Sequence, residues 1–224
     1  MFCEKCNKKT HIIHINKEHR KICDVCYYKK EKSMNELKDR FYEEGIVVGG
    51  HFVLNSGKHT DKYIYKDKIY CNNELFEECI DELTTLILES DVEIDCVASP
   101  SAGGVVLGAP VALNLAKPIV YSEKNLDGTF RLRKCFREFI EGKKIIIVDD
   151  IYSSGKTIYN LFNVIKENGG ILKGVFCLWN RSTQKSLDRS FFIDIKSLIS
   201  EYISVSNQED CYQCEMGVQY TNLK

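Results

Sequence analysis

The residues whose types and spacing speak most directly of chemistry lie in one stretch, Ile145-Ile-Ile-Val-Asp-Asp-Ile-Tyr-Ser-Ser-Gly-Lys-Thr157. Four apolar residues read as a buried strand, two acids follow, and then come hydroxyls, a glycine and the start of a helix. Carboxylates accept hydrogen bonds from ribose hydroxyls. Backbone N–H groups and the helix dipole at Ser153, Ser154, Gly155, Lys156 and Thr157 can hold a monophosphate. The combination suits a ribose 5-phosphate. Gly155-Lys156-Thr157 also ends as a Walker A loop does, but that motif needs a glycine five residues before Gly155, where this chain has Asp150. Two adjacent carboxylates there would repel a triphosphate.

The second constellation is made of cysteine. Cys3, Cys6, Cys23 and Cys26 form two CxxC knuckles with sixteen residues between them, a spacing typical of structural zinc. Four thiolates close a tetrahedral Zn2+ site, and a segment this short has too little core to fold without it. The residues between the knuckles alternate polar with apolar, as a short hairpin would. Residues 1–32 carry nine Lys or Arg against four Asp or Glu. The ribbon therefore reads first as a structural or docking element and second as a nucleic-acid binder. His11, His14 and His19 read as hairpin surface. Cys211 and Cys214 form a further CxxC without a second knuckle. Recruitment of Cys71 or Cys79 is one reading and two thiols in a turn the other. Cys96, Cys135 and Cys177 lie in or beside apolar runs and read as core or near-core thiols.

The elements that must position these groups begin after Ser33. Asn35–Glu44 reads as a short helix ending at Gly45. Asn73–Ser90 places Phe76, Cys79, Ile80, Leu83 and Ile87 on one helical face. Strands are expected at Ile94–Ala98, Ile119–Tyr121, Lys144–Val148 and Val175–Trp179. A small-residue helix after Gly104 should kink or start late because of Pro110. Thr157–Asn168 reads as a helix closed by Gly169-Gly170. Strands that are continuously apolar with helices between them imply a parallel sheet covered on both faces, with ligands at the carboxyl ends of its strands.

Composition agrees with a globular α/β chain. The 224 residues are 44% apolar and 28% charged, and the formal net charge is −1, which excludes collagen-like and mostly disordered classes and leaves any anion site local. No apolar run approaches the roughly 20 residues of a membrane span. The first residues carry charges and cysteines rather than an apolar signal core, so the expected location is the cytoplasm.

IIIVDDIYSSGKT resembles the phosphoribosyl pyrophosphate (PRPP) signature of type I phosphoribosyltransferases. The loop Ala98-Ser-Pro-Ser-Ala-Gly-Gly104 is similar to the family's pyrophosphate loop, with Ser101, Ala102 and Gly103 at its tip. HFVLNSGKHTDKYIYK (51–66) resembles the N-terminal hood of the orotate-using branch, the segment Tyr121–Arg133 its mobile active-site loop, and DCYQCEMG (210–217) the cysteine-pair tail of some members. The fold implied is α/β: a parallel sheet flanked by helices with a small hood, preceded by the zinc ribbon. The domains implied are a ribbon at 1–32 and a transferase domain at 33–224, with the hood at about 46–70, the PRPP-binding core at about 92–180 and a tail at 190–224.

The resemblance implies Mg2+-dependent transfer of ribose 5-phosphate from PRPP to orotate, giving orotidine 5'-monophosphate and pyrophosphate for pyrimidine synthesis. Asp149 and Asp150 would hold the ribose hydroxyls and the metal region, residues 153–157 the 5'-phosphate, and Lys124 the pyrophosphate, reaching a neighbouring subunit's site in a homodimer. Tyr63 is the candidate platform for the base and Arg181 for its carboxylate. There are departures. Family members carry a lysine in the pyrophosphate loop, where this chain has Ala102 and Gly103. They also carry further basic residues in the mobile loop, for which Arg131 or Arg133 are the candidate substitutes. Two other readings follow from these gaps: a phosphoribosyltransferase for another base, purine or competence-related, and a non-catalytic PRPP sensor whose basic ribbon binds nucleic acid.

Overall fold

The computed structural model describes residues 14–15, 21–22, 36–54, 56–126, 129–182 and 193–221. The expected zinc ligands Cys3, Cys6, Cys23 and Cys26 lie outside the described residues. Two compact units are present, residues 1–45 and 46–224. In the first, β1 (His14–Ile15) pairs antiparallel with β2 (Lys21–Ile22), as the alternation between the knuckles predicts. Residues 36–43 form helix α1, which ends before Gly45 in a left-handed conformation (φ 63°).

The second unit opens with an antiparallel hairpin, β3 (Val47–Val53) and β4 (His59–Ile64). Two helices follow, α2 (Asp67–Cys71) and α3 (Asn73–Leu88). Asn72 caps α3 by accepting the Leu75 N–H at 3.2 Å. Leu75, Cys79, Leu83 and Ile87 form its buried face. The face is therefore turned slightly from the expected one, which had Phe76 and Ile80 inside.

The remaining strands form one six-stranded sheet in the order β10 (Ile195–Ser200), β9 (Ile171–Asn180), β8 (Lys144–Tyr152), β5 (Cys96–Ser99), β6 (Ile119–Lys124), β7 (Phe130–Leu132). All pairings are parallel except β6 with β7. Strand β8 is central and buried from Ile145 to Asp150, because helices cover both of its faces. Ile145, Ile147, Cys96, Ala98, Val175 and Cys177 pack with Ile158, Leu161, Phe162 and Ile165 of α5 (Lys156–Glu167). Each of these four helix side chains contributes about 1.5–3 kcal/mol by leaving water. Ile146 and Val148 point the other way, toward α4 (Gly103–Asn114). Helix α4 starts at Gly103 and runs through Pro110, so of the kink or late start expected from the proline, the late start does not occur. The fully buried Leu107, Val111 and Ala112 hold it against the sheet despite the missing amide hydrogen. Among the described residues, no helix is long and apolar enough to cross a membrane.

Candidate active site

Strand β8 runs four residues beyond the expected end, so Asp149 and Asp150 sit inside the hydrogen-bonded ladder, with Asp149 opposite Cys177. Strand alternation would part the two side chains, but at the strand's end both carboxylates come against the start of α4, at Gly104 and Gly103. Both are buried. Asp149 Oδ1 accepts the Asp150 N–H at 2.9 Å, and Asp150 Oδ1 accepts the Ile151 N–H at 2.7 Å. Burial first, and the neighbouring Asp150 charge second, push the Asp149 carboxyl well above its ordinary range.

The chain then turns through Ser153 and Ser154 to Gly155, whose φ of 76° is left-handed. A side chain there would also run into the Tyr152 hydroxyl. Glycine is thus required by both conformation and space. Residues Asp149 and Ile151–Ile158 line a small open cleft. Ser153, Ser154, Lys156 and Thr157 are exposed at its mouth. The free N–H groups of the twelve-residue helix α5 begin there.

The loop after β5 closes the other side. A Cβ at Gly103 would run into Asp150 Oδ2, and one at Gly104 would lie 2.8 Å from Asp149 Oδ1. The start of α4 can approach the paired acids only because both positions are glycine. Ser101 and Ala102 are exposed on this loop, and the peptide joining them is cis.

Two residues that the sequence reading did not select complete the cluster. Lys66 Nζ lies 2.6 Å from Asp150 Oδ2, and the Tyr70 hydroxyl lies 3.0 Å from the same oxygen and 3.2 Å from the Gly103 carbonyl. Burial lowers the Lys66 pKa, but the charge and hydrogen bond of Asp150, with Asp149 and Asp67, outweigh it and hold the ammonium above its ordinary value. Burial and the same acids push the Tyr70 hydroxyl up, so both groups keep their protons. A Cβ at Gly103 would lie 2.7 Å from Lys66 Nζ. A cation thus stands beside the loop after β5, supplied by the segment joining β4 to α2. The signal was present in YIYK (63–66) and Tyr70, but pairing across 84 residues of sequence has no local signature.

Arg181 follows β9, its backbone N–H bonded to the Tyr152 carbonyl at 3.0 Å. Its Nη2 is buried without a hydrogen-bond partner among the described residues. Burial pulls the guanidinium below its ordinary value, opposed by Asp61, Tyr202 and Tyr63 nearby. Tyr63 stands half-buried on β4, its ring 5.6 Å from that of Phe52 and 4.8 Å from that of Tyr65. The sequence-selected pair Tyr63 and Arg181 thus shares one neighbourhood.

Lys124 is not brought to the acids. It ends β6 opposite Phe130 and is exposed, and among the described residues it forms no ion pair. The expected mobile loop is here a β6–β7 hairpin, tied by Asn125 N–H to the Thr129 carbonyl at 2.8 Å. Arg133 and Arg131 are both held by Glu123, at 2.6 and 3.0 Å. The Arg133 hydrogen bond, with the charge of both arginines, keeps the Glu123 carboxyl below its ordinary range.

The sequence pattern of the phosphoribosyl transferase domain matches residues 67–213, which take in both glycine-rich loops and the paired acids. The chain belongs to this family. An orotate phosphoribosyltransferase of Thermoanaerobacter sp. (strain X514) is 30% identical over 183 residues, spanning 82% of this chain and 93% of that relative. Among solved structures, orotate phosphoribosyltransferase from Aeropyrum pernix superposes with a TM-score of 0.61 at 23% identity, covering 73% of this chain and 93% of that one. Adenine phosphoribosyltransferase from Trypanosoma brucei reaches 0.57 at 15% identity, covering 73% and 79%. Enzymes named for different bases share this phosphoribosyltransferase fold, so the fold alone does not name the base.

Proposed function

We propose that the protein is an orotate phosphoribosyltransferase that transfers ribose 5-phosphate from PRPP to orotate with release of pyrophosphate. The observation that carries the choice of base is the likeness to a curated orotate enzyme over 93% of that enzyme's length. The chemistry of the site agrees with it.

In this reading the 5'-phosphate sits in the cleft at Ser153–Thr157, where the free N–H groups and positive end of α5 face an anion. Asp149 and Asp150 take the ribose hydroxyls. The backbone of Ser101, Ala102 and Gly103, joined by Lys66, receives the pyrophosphate. Paired buried carboxylates beside a phosphate cradle are the oxygen ligands that Mg2+ takes together with substrate phosphates, and both acids fit that use. The ion, arriving with PRPP, supplies charge neutralisation at the leaving group. As the glycosidic bond loosens, positive charge grows on the ribose and negative charge on the pyrophosphate. The fixed ammonium of Lys66 stands where the second charge develops and needs no reorganisation to meet it.

Orotate is flat and carries a carboxylate. The unpaired buried Nη2 of Arg181 offers that carboxylate a charge-assisted hydrogen bond, and the aromatic Tyr63 offers the ring a stacking face. Lys124, carried on the β6–β7 hairpin, serves a partner subunit's site in a cytoplasmic homodimer. The four-cysteine ribbon binds a structural Zn2+ and is a docking element rather than a nucleic-acid reader.

The test is a base panel. Purified protein with Mg2+ and PRPP is given orotate, uracil, adenine, guanine and hypoxanthine, and pyrophosphate release is followed. Release with orotate alone is expected. Release with a purine instead would overturn the assignment of the base, and silence with every base while PRPP still binds would favour a PRPP sensor.

A further inference from the structure

Away from the cleft, four metal-ligating side chains converge: His51 from β3, His59 from β4, and Cys211 and Cys214 from the C-terminal segment around α6 (Tyr212–Glu215). Their ligand atoms all lie within 4.8 Å of one another. His51 Nε2 is 2.9 Å from His59 Nδ1, 3.4 Å from Cys211 Sγ and 3.6 Å from Cys214 Sγ, and Cys214 Sγ is 3.3 Å from His59 Nδ1. Tetrahedral zinc with Zn–N of about 2.0 Å and Zn–S of about 2.3 Å has edges of roughly 3.3 to 3.8 Å. Three of these four separations already match such edges, and the nitrogen–nitrogen edge is drawn slightly inward of them.

The surroundings fit as well. Neither Cys71 nor Cys79 joins the cluster; histidines 160 and 155 residues away take that place. His51 Nδ1 lies 2.7 Å from the Val218 carbonyl, which accepts only if Nδ1 carries the proton. That bond fixes the tautomer and leaves the Nε2 lone pair facing the cluster, the outer support that metal-bound histidines typically have. Backbone N–H groups of Gln213 and Cys214 point at the Cys211 sulfur, as in a CxxC metal knuckle. Both imidazoles are almost fully buried, at 1% and 3% exposure. Two thiolates and two neutral imidazoles around Zn2+ make a neutral unit, which is the charge state burial favours. The tail that supplies the thiols has little else to hold it: Tyr212, Met216, Val218 and Tyr220 are all exposed. Its other fastenings are hydrogen bonds, among them His59 with Ser206 and Gln213 Nε2 to the Gly50 carbonyl, and the edge contacts of the Tyr220 ring with His51 and His59.

We propose that His51, His59, Cys211 and Cys214 bind a structural Zn2+ that staples the C-terminal tail to the β3–β4 hood, a site separate from the N-terminal cysteines. The site acts by holding the hood hairpin in place and takes no part in the ribosyl transfer itself.

The test separates it from the ribbon. In full-length protein with Cys3, Cys6, Cys23 and Cys26 all replaced by serine, metal analysis after exhaustive dialysis should still give about one zinc per chain. Adding Cys214→Ser should bring that to about zero, and His59→Asn should do the same. Less than about a tenth of a zinc per chain in a folded four-serine protein would overturn the proposal. Because these variants could fail to fold, the unsubstituted chain gives a second reading. X-ray absorption at the zinc edge should show imidazole nitrogen beside sulfur in the metal's coordination shell. A shell of sulfur alone would overturn the proposal whatever the variants do.

Discussion

Replacing Asp150 by asparagine should separate turnover from folding. Asparagine keeps the oxygen that accepts the Ile151 N–H. It puts an amide where Oδ2 now accepts from Lys66 and lies near the Tyr70 hydroxyl. The lysine side chain is 37% exposed, so solvent screens the pair and its loss costs about 1 kcal/mol. Tyr70 retains the Gly103 carbonyl at 3.2 Å as an alternative acceptor. Asp149 meanwhile loses the like charge that helps to raise its pKa, which offsets part of the cost. The net change should stay within about 1 kcal/mol, a fall in Tm of roughly 2–4 °C for a chain of this size. In turnover, the variant loses a group preorganised for the transition state, which costs about 10²–10³ in kcat. Thermal unfolding and pyrophosphate release with orotate, measured on the same preparation, decide it. An Asp150→Asn protein with wild-type kcat would refute the reasoning, as would one whose activity falls only in step with its folded fraction.

Other substitutions should divide the site by function. Lys66→Met should lower kcat by about 10² through the leaving group, read in steady-state kinetics. Arg181→Leu should raise the KM for orotate while that for PRPP stays near wild type, because it removes the partner proposed for the base's carboxylate and none of the groups proposed for phosphate. Gly155→Ala forces a left-handed φ of 76° on a residue with a Cβ, at about 1–2 kcal/mol, and should lower Tm and raise the KM for PRPP together. The raised pKa of Asp149 gives a pH test. Between its ordinary value of 3.8 and its higher folded value, the folded chain binds more protons than the unfolded one. Stability therefore falls as pH rises through that window, and Asp149→Asn should flatten the slope in denaturant titrations across it.

The parts of this molecule that were legible in the sequence are those whose signals are local. The period of Ile158, Leu161, Phe162 and Ile165 marks the buried face of α5, and the apolar run before Asp149 marks the central strand. The glycine at 155 marks a turn that the φ value requires. Strand β7, antiparallel to its neighbour, was not foreseen because three residues carry no readable period. Helix α4 starts early despite Pro110 because tertiary burial outweighs one missing hydrogen bond. The site was half legible for the same reason. Asp149, Asp150 and the loop to Thr157 are contiguous, whereas Lys66 and Tyr70 reach Asp150 from 84 and 80 residues away. Cys211 and Cys214 were visible as a knuckle, but their histidine neighbours are set by the docking of the tail on the hood, which no spacing encodes.

The central claim is that a ribose phosphate lies where the paired acids of β8 meet the amino end of α5, and a crystal structure with Mg2+ and PRPP, or with orotidine 5'-monophosphate, tests it most directly. The expected result is a 5'-phosphate hydrogen-bonded to the backbone N–H groups of Ser153–Thr157, with the ribose hydroxyls on Asp149 and Asp150. A ligand bound elsewhere, with that cleft closed by its own side chains, would contradict the account.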